Sequence, residues 1–349
     1  MKVVQTVTGP VPASDLGICL THEHIINDVT SWWHEPFTES QARFAHEPVG
    51  IDQLWELHND PFASRDNCRL DNLDVAVAEV SLFAGLGGRT ILDATSGSIG
   101  RDPRGLREVS ERTGVQVLMG SGLYLDSSMP DSASAMSAEE VATDIIRDLD
   151  VGVDGIRAGF IGEIGVSSEF TPRERTSLRG AALAQVERGV PLQVHLPGWF
   201  RLGDEVLDVI EAEGADVEST VLCHMNPSGC DLDYQERLLR RGAWLQYDMV
   251  GMHVFYADQQ VQCPSDEQNA ESLARLIERG WLRQILVSSD IFLKSLLRSY
   301  GGPGYGHVLE FFLPRLERHG VTRSDCLSLV TDNPRRLFEV ACQESEDQR

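Results

Sequence analysis

The chain is short of positive charge. Lys and Arg total 30 against 54 Asp and Glu, a formal net charge of −24. Such a balance argues against nucleic acid or an anionic membrane as partner, and it favours solubility. No stretch approaches the ~18 consecutive apolar residues that a membrane-spanning helix requires. The opening MKVVQTVTGPVPASD holds no apolar segment long enough for a secretory signal. The seven cysteines, Cys19, Cys68, Cys223, Cys230, Cys263, Cys326 and Cys342, are scattered, odd in number and without a CxxC pair. That excludes a disulfide framework and predicts reduced thiols in a cytoplasmic protein. Internal repeats, low-complexity segments and interdomain linkers are missing as well, so residues 1–349 are expected to form a single domain. At 42% hydrophobic and 24% charged residues, the composition is that of a globular protein with a large core.

What is present is a recurring pattern of short apolar runs ending in a metal-binding residue type. Residues 16–26 read LGICLTHEHII and end in His22-Glu23-His24. Residues two apart on a strand share a face, so both imidazoles aim at one point. The run 156–162 leads to Glu163, 190–194 to His195, 220–223 to His224, and 285–289 to Asp290. Three further strands are read at 90–95, 115–120 and 243–248, which makes eight. Helical stretches fall between them at 70–86, 104–112, 138–149, 171–188, 203–213, 233–241, 266–279 and 308–319. Thr171-Pro172-Arg173-Glu174 and Ser265-Asp266-Glu267-Gln268 carry helix-start signals.

Eight strands alternating with helices predict an α/β fold, a parallel sheet closed into a (β/α)8 TIM barrel. The C-terminal strand ends of such a barrel form the active-site face, where all six candidate ligands fall. A doubly wound open sheet would not bring strands one, four, five, six and eight to one point. Residues 28–61 and 250–264 read as long loops over that face, of the kind that shapes a substrate pocket.

Four imidazoles and two carboxylates exceed what one four-coordinate zinc needs. Shared between two divalent ions, His22, His24 and Asp290 serve one ion, His195 and His224 the other, and Glu163 bridges them. Two ions about 3.5–4 Å apart can hold a hydroxide between them and polarise a carbonyl or phosphoryl oxygen. Asp290 is also the candidate general base. Zinc is the default metal, although Mn, Co and Fe suit the same donors.

Other residues carry weaker expectations. Glu23 should point away from the metals, because neighbouring strand residues face opposite sides. For the same reason Cys223 should face the helical layer rather than act as a nucleophile. Asp93 either orients a metal-bound imidazole or caps a loop. Tyr124, Trp199 and Tyr305 are candidate pocket residues, joined by His253 and Tyr256 from the second long loop. Lys294 and Arg298, four apart, could grip an anionic substrate group, with solvated helix charges as the competing role. Trp32 and Trp33 either cover the mouth or anchor their loop. Gly301-Gly302-Pro303-Gly304 lacks the context of a phosphate loop and reads as a turn after strand eight.

Together, Leu20-Thr21-His22-Glu23-His24, Gly100-Arg101-Asp102-Pro103, Gly155-Ile156-Arg157-Ala158-Gly159, Val194-His195, Cys223-His224, Ser289-Asp290, Tyr300-Gly301-Gly302, Gly304-Tyr305-Gly306 and Asn333-Pro334 resemble the phosphotriesterase-related branch of the amidohydrolase superfamily. The resemblance runs from about residue 3 to 340. It implies a barrel, a binuclear metal centre and hydrolysis of esters, lactones, amides or organophosphates. The best-known phosphotriesterases bridge their metals with a carboxylated lysine on the fourth strand. Here that place reads Gly162-Glu163-Ile164-Gly165, similar to the phosphotriesterase-homology and mammalian phosphotriesterase-related subgroup. His195-Leu196-Pro197-Gly198-Trp199 and Tyr256-Ala257-Asp258-Gln259 resemble bacterial resiniferatoxin-binding, phosphotriesterase-related proteins. The expected activity is attack of a metal-bridging hydroxide on a carbonyl carbon in a lactone, ester or amide. The alternatives are a phosphoester or organophosphate hydrolase with the same site, and a small-molecule binding protein that keeps its metals without turnover. The family often dimerises, so a homodimer is an expected assembly.

Overall fold

The computed structural model describes residues 2–341. Cys342 and the polar tail after it lie outside the described residues. The sheet is built from β1 (Ile18–Glu23), β2 (Gly88–Asp93), β3 (Gln116–Ser121), β4 (Phe160–Gly165), β5 (Leu192–His195), β6 (Thr220–Leu222), β7 (Trp244–Tyr247) and β8 (Ile285–Val287). All neighbours pair in parallel and in sequence order. The first and last strands meet just past their ends, where Asp290 N donates to His22 O (3.2 Å) and His24 N to Ile291 O (3.2 Å). With helices around the sheet, this is the (β/α)8 barrel expected of the pattern.

The strands read as continuous apolar runs because both faces are covered. Leu20, Ile91, Val117, Ile161, Leu192 and Leu245 face the helices. Cys19, Leu92, Leu118 and Phe160 face inward, where Val4 and Phe338 pack against them. Val221, Trp244 and Leu286 do the same on the other side, against Leu337. Val4 comes from a short hairpin, Val3–Thr6 with Gly9–Pro12, which the sequence reading did not find. Nor did it find the helices Arg323–Ser328 and Asp332–Ala341, the second of which supplies Leu337 and Phe338. Above this apolar base the interior turns polar. Gln193 Nε2 donates to Thr21 O (2.9 Å), one residue before His22.

Helix starts follow their caps. Thr171 and Ser265 both form capping boxes, with Glu174 and Gln268. Two expected elements differ. The fourth strand begins at Phe160 rather than 156; Ile156 instead bridges back to Val153 in a turn. Just before β4 the chain packs tightly on the N-terminal hairpin, where a Cβ on Gly159 would lie 2.2 Å from Gln5 O. The stretch 308–319 divides into a wide π-type turn, Val308–Phe312, and the α-helix Leu313–Arg318. Pro314 lacks an N–H and crowds the carbonyl four residues back, which disfavours regular α-helix there.

The two long segments are less loop-like than expected. The 28–61 segment holds the short helices Glu39–Ala42 and Leu54–Asn59. The 250–264 segment contains a two-residue hairpin, Phe255–Tyr256 with Val261–Gln262. Gly301-Gly302 forms a turn after β8, with Gly301 at φ 92°. No described helix is long and apolar enough to cross a membrane.

Candidate metal centre

The six strand-end residues converge at the mouth of the barrel. Glu163 lies at the middle of the group. Its Oε1 is 3.4 Å from His24 Nε2, and its Oε2 is 3.5 Å from His22 Nε2, 3.1 Å from His195 Nδ1 and 3.4 Å from His224 Nε2. Asp290 Oδ1 is 3.3 Å from His24 Nε2 and 3.7 Å from His22 Nε2. His224 Nε2 is 2.8 Å from His195 Nδ1. The carboxylate of Glu163 thus meets all four imidazoles, His24 through Oε1 and His22, His195 and His224 through Oε2.

Local backbone explains how consecutive residues reach this point. His224 and Asp290 adopt left-handed conformations, φ 57° and 49°. Such values are uncommon outside glycine and cost energy, so they occur where surrounding structure enforces them. They break the strict alternation of a strand. Cys223 consequently faces the barrel interior with Val221 and Leu286, not the helical layer as expected, and His224 still turns into the site. Burial, then Asp248, hold the Cys223 thiol well above its ordinary value, so it stays protonated. β3 and β4 approach closely beside Glu163; a Cβ on Gly120 would lie 2.0 Å from Gly162 O.

Behind these donors stands a ring of supporting contacts. Asp248, at the end of β7, accepts from the backbone N of His224 (2.9 Å), lies 3.0 Å from its Nδ1 and 3.3 Å from His22 Nδ1. The sequence reading assigned this residue no role, although an Asp ending a strand was the signal used for Asp290. Thr95 Oγ1 is 2.9 Å from His24 Nδ1. Asp93 accepts from Ile25 N (2.7 Å) and Thr95 N (3.1 Å), so it caps the turns that carry His24 and Thr95. Glu23 points away from the cluster. It accepts from Ser288 Oγ (2.7 Å), Ser289 N (2.9 Å) and Ile291 N (2.8 Å), tying β1 to the end of β8. Burial still pushes its carboxyl up to about 7.

The electrostatics are those of tightly coupled opposite charges. Burial works against ionising Glu163, but the charge of His22 and hydrogen bonds from His195 and His224 overcome it and hold the carboxyl well below its usual range. Burial also opposes charge on His24, yet Asp290 and Glu163 push it up to about 10. His195 is pushed down, by burial first and then by the charge of His224.

The donor set fits divalent cations. His22 is fully buried, yet neither ring nitrogen has a hydrogen-bond partner. Buried polar atoms are almost always paired. Donors on one tetrahedral ion at ~2.1 Å stand about 3.4 Å apart. The separations around His22, His24, Glu163 and Asp290, 3.3 to 3.7 Å, are too long for good hydrogen bonds and suit a shared cation. Overlapping groups able to hold a metal are His22–His24–Glu163, His22–His224–Asp290 and Glu163–His195–His224.

The cluster forms the floor of a cavity of about 590 Å³. Tyr124, Trp199 and Tyr256 line it, as expected, and so does Trp32. Tyr124 Oη lies 3.3 Å from His195 Nδ1. Four expected pocket residues lie elsewhere. Lys294 is buried and paired with Asp66 (2.6 Å) and Asp71 (3.4 Å). Arg298 lines a separate cleft with Glu79 and Tyr305. Neither is on a regular α-helix; both start short 3₁₀ turns, which sets aside the four-residue spacing argument. His253 is half exposed, with Asp266 3.9 Å away. Tyr305 is buried and donates to His24 O (2.8 Å), so it steadies the backbone rather than the substrate. Trp33 packs on its own loop beside His46 and Arg65.

A parallel barrel with a buried cluster of histidines and carboxylates at its C-terminal mouth defines a class of barrel hydrolase. The sequence matches the phosphotriesterase family over residues 2–338, and the chain belongs to that family. It is 33% identical over 338 residues to an N-acetyltaurine hydrolase of Tetraodon nigroviridis, which covers 95% of this chain and 96% of that one. The crystal structure of a resiniferatoxin-binding protein from Rhodobacter sphaeroides is similar with a TM-score of 0.95 and 52% identity, over 97% of this chain and 95% of that one. The phosphotriesterase homology protein of Escherichia coli, complexed with phosphate in its active site, is similar with a TM-score of 0.77 and 26% identity, over 93% and 99% of the two chains.

Proposed function

We propose that this protein hydrolyses a carbonyl substrate, an ester, lactone or amide, with two divalent cations, zinc by default. His22, His24 and Asp290 would hold one, His195 and His224 the other, and Glu163 both. The observation that carries this reading is the convergence of four imidazoles and two carboxylates, one of them central, on the floor of a roomy cavity. The naming of a similar protein as an N-acetyltaurine hydrolase, an amide-cleaving activity, supports the carbonyl choice. When bound, the cations supply an acidified water as nucleophile and polarise the substrate's carbonyl oxygen.

The chain's own groups do the rest. Asp290 Oδ1, beside both His22 and His24, is positioned to take the proton released as the nucleophile attacks, and to return it to the leaving group. Asp248 and Thr95 fix the ring orientations of His224 and His24 from outside. Tyr124 presents a neutral hydroxyl, held protonated chiefly by burial, beside His195 at the edge of the cavity floor. Trp32, Trp199 and Tyr256 line the cavity beside the cluster and give it apolar surface.

The test is metal analysis of the purified protein beside a turnover panel of lactones, aryl esters, N-acyl amino acids, N-acetyltaurine and phosphotriesters. The expected result is about two cations per chain and turnover of carbonyl substrates that chelation abolishes and metal restores. Phosphotriesters outpacing every carbonyl substrate would overturn the choice of centre. Metal without turnover across the panel would leave a binding protein.

A further inference from the structure

The cavity wall makes a statement about charge that is independent of the metal cluster. Among the described residues lining the cavity there is no Lys and no Arg. The acids away from the cluster are Asp126 and Glu174, and both are occupied. Asp126 accepts from Thr171 Oγ1 (2.8 Å) and Arg173 (2.5 Å). Glu174 accepts from Asp126 N, Ser167 N and Thr171 N, at 3.2, 3.0 and 3.0 Å. No charged group on the wall is free to meet a charge on a ligand, of either sign.

The remaining wall mixes a few uncharged polar side chains, such as Ser168 and Gln259, with aliphatic residues and a connected set of aromatic rings. Trp32 stacks on Phe62 with ring centres 5.4 Å apart and planes 16° from parallel. Phe62 stacks in turn on Tyr256 at 5.2 Å and 11°. Trp199 meets Tyr256 edge-on at 5.9 Å. Phe292 joins this ladder to the floor, 6.3 Å from Phe62 and 6.3 Å from the His24 ring. Tyr256 directs its hydroxyl away, to Met252 Sδ (2.9 Å), and leaves its ring to the wall.

We infer that the substrate is a neutral molecule with a flat, apolar ring body, seated on the Trp32–Phe62–Tyr256 ladder, and that this chain discriminates against substrates ending in a carboxylate or sulfonate. The inference rests on the hydrolytic reading above and narrows it. The volume of about 590 Å³ suits a ligand of many heavy atoms. An anionic tail would lose its water in this wall with no cation to replace it. The −24 net charge opposes its approach as well. N-acetyltaurine, an anionic sulfonate, is therefore expected to be a poor substrate here, although a protein 33% identical bears its name.

The test compares 4-methylphenyl, 4-carboxyphenyl and 4-sulfophenyl acetates on the metal-loaded protein, each rate divided by its uncatalysed alkaline rate. The methyl ester is expected to exceed both anions in kcat/KM by on the order of 100-fold, from the unpaired buried charge. Phe62→Leu, which keeps apolar volume, and Phe62→Ala should each raise KM for the methyl ester ~3- to 10-fold by loosening the Trp32 and Tyr256 rings that stack on it, with metal content retained. Val261→Lys, at the half-exposed rim of the cavity, should narrow the penalty on the anions by about tenfold through a new ion pair. Anions turned over within about threefold of the methyl ester, or a Val261→Lys protein with an unchanged ratio, would overturn the inference. Tryptophan quenching by 4-methylacetophenone against 4-acetylbenzenesulfonate separates the two readings. Selective binding of the neutral ketone in a protein that hydrolyses nothing sinks the hydrolytic reading and keeps this one. Equal binding of both sinks this one whatever the turnover.

Discussion

The floor of the cavity sits at the ends of barrel strands, where every donor has charged or hydrogen-bonding neighbours at 2.8–3.7 Å. The aromatic part of its wall comes chiefly from the 28–62 and 250–264 segments, whose rings meet face to face at more than 5 Å, and the rest from the loops after β2 to β5. The floor's geometry is imposed by sheet hydrogen bonds and buried charge, both steep in distance. The wall's is imposed by apolar contact, which tolerates small shifts. Chemistry should therefore be sensitive at the floor, and substrate choice adjustable at the wall.

Substitutions at the floor should produce the largest effects. Glu163→Gln removes the charge shared by both halves of the cluster; activity should fall by about 1000-fold or more and metal content should drop, measured by kinetics and elemental analysis. Full metal occupancy in that variant would remove Glu163 from its bridging place. Asp290→Asn should lower kcat by roughly 100- to 10,000-fold, as expected when a general base is lost. A kcat within threefold of the parent would transfer the proton-accepting role elsewhere. Asp248→Asn, which touches no substrate, should weaken metal affinity ~10- to 100-fold, read by competition with a chelator.

A pH series probes the same region more gently. In the metal-free protein, neighbouring carboxylates raise His24 from its ordinary 6.5 to about 10. A raised imidazole stabilises the fold fully below about pH 6.5 and loses that contribution as pH climbs through about 10. Cations need the neutral ring, so their affinity moves the opposite way, rising with pH. The gap in melting temperature between loaded and metal-free protein should widen from about pH 6 to pH 9. A constant gap would mean that His24 carries no proton to displace.

The smallest effect belongs to the wall. Trp199→Ala should raise KM for ring-bearing substrates by about 3- to 10-fold and leave metal content intact. If it strips metal, floor and wall are one cooperative unit and the distinction fails.

The same division marks what could be read in the sequence. The six donors were legible because each ends an apolar run, and barrel strand ends converge by geometry alone. Asp248 was legible by that rule and was passed over. Cys223 was misjudged because strict alternation takes no account of the left-handed turn at His224. Lys294 and Arg298 were misjudged because their neighbours, Asp66 and Glu79, lie more than two hundred residues earlier in the chain. Of the ring ladder, Tyr256 and Trp32 could be suspected of lining the pocket, but neither Phe62 nor the stacking was legible. Trp32, Phe62 and Tyr256 carry no spacing signal, and only folding brings them together.

The seam between β1 and β8 has a consequence for biosynthesis. His22 and His24 emerge from the ribosome early, Asp290 late, and Glu23 clasps the two ends of the chain together. A nascent polypeptide stalled before residue 288 lacks both the clasp's partners and one of the six donors. Such a fragment should hold cations poorly, so tight metal retention would report that synthesis had run to completion and the ring of strands had shut.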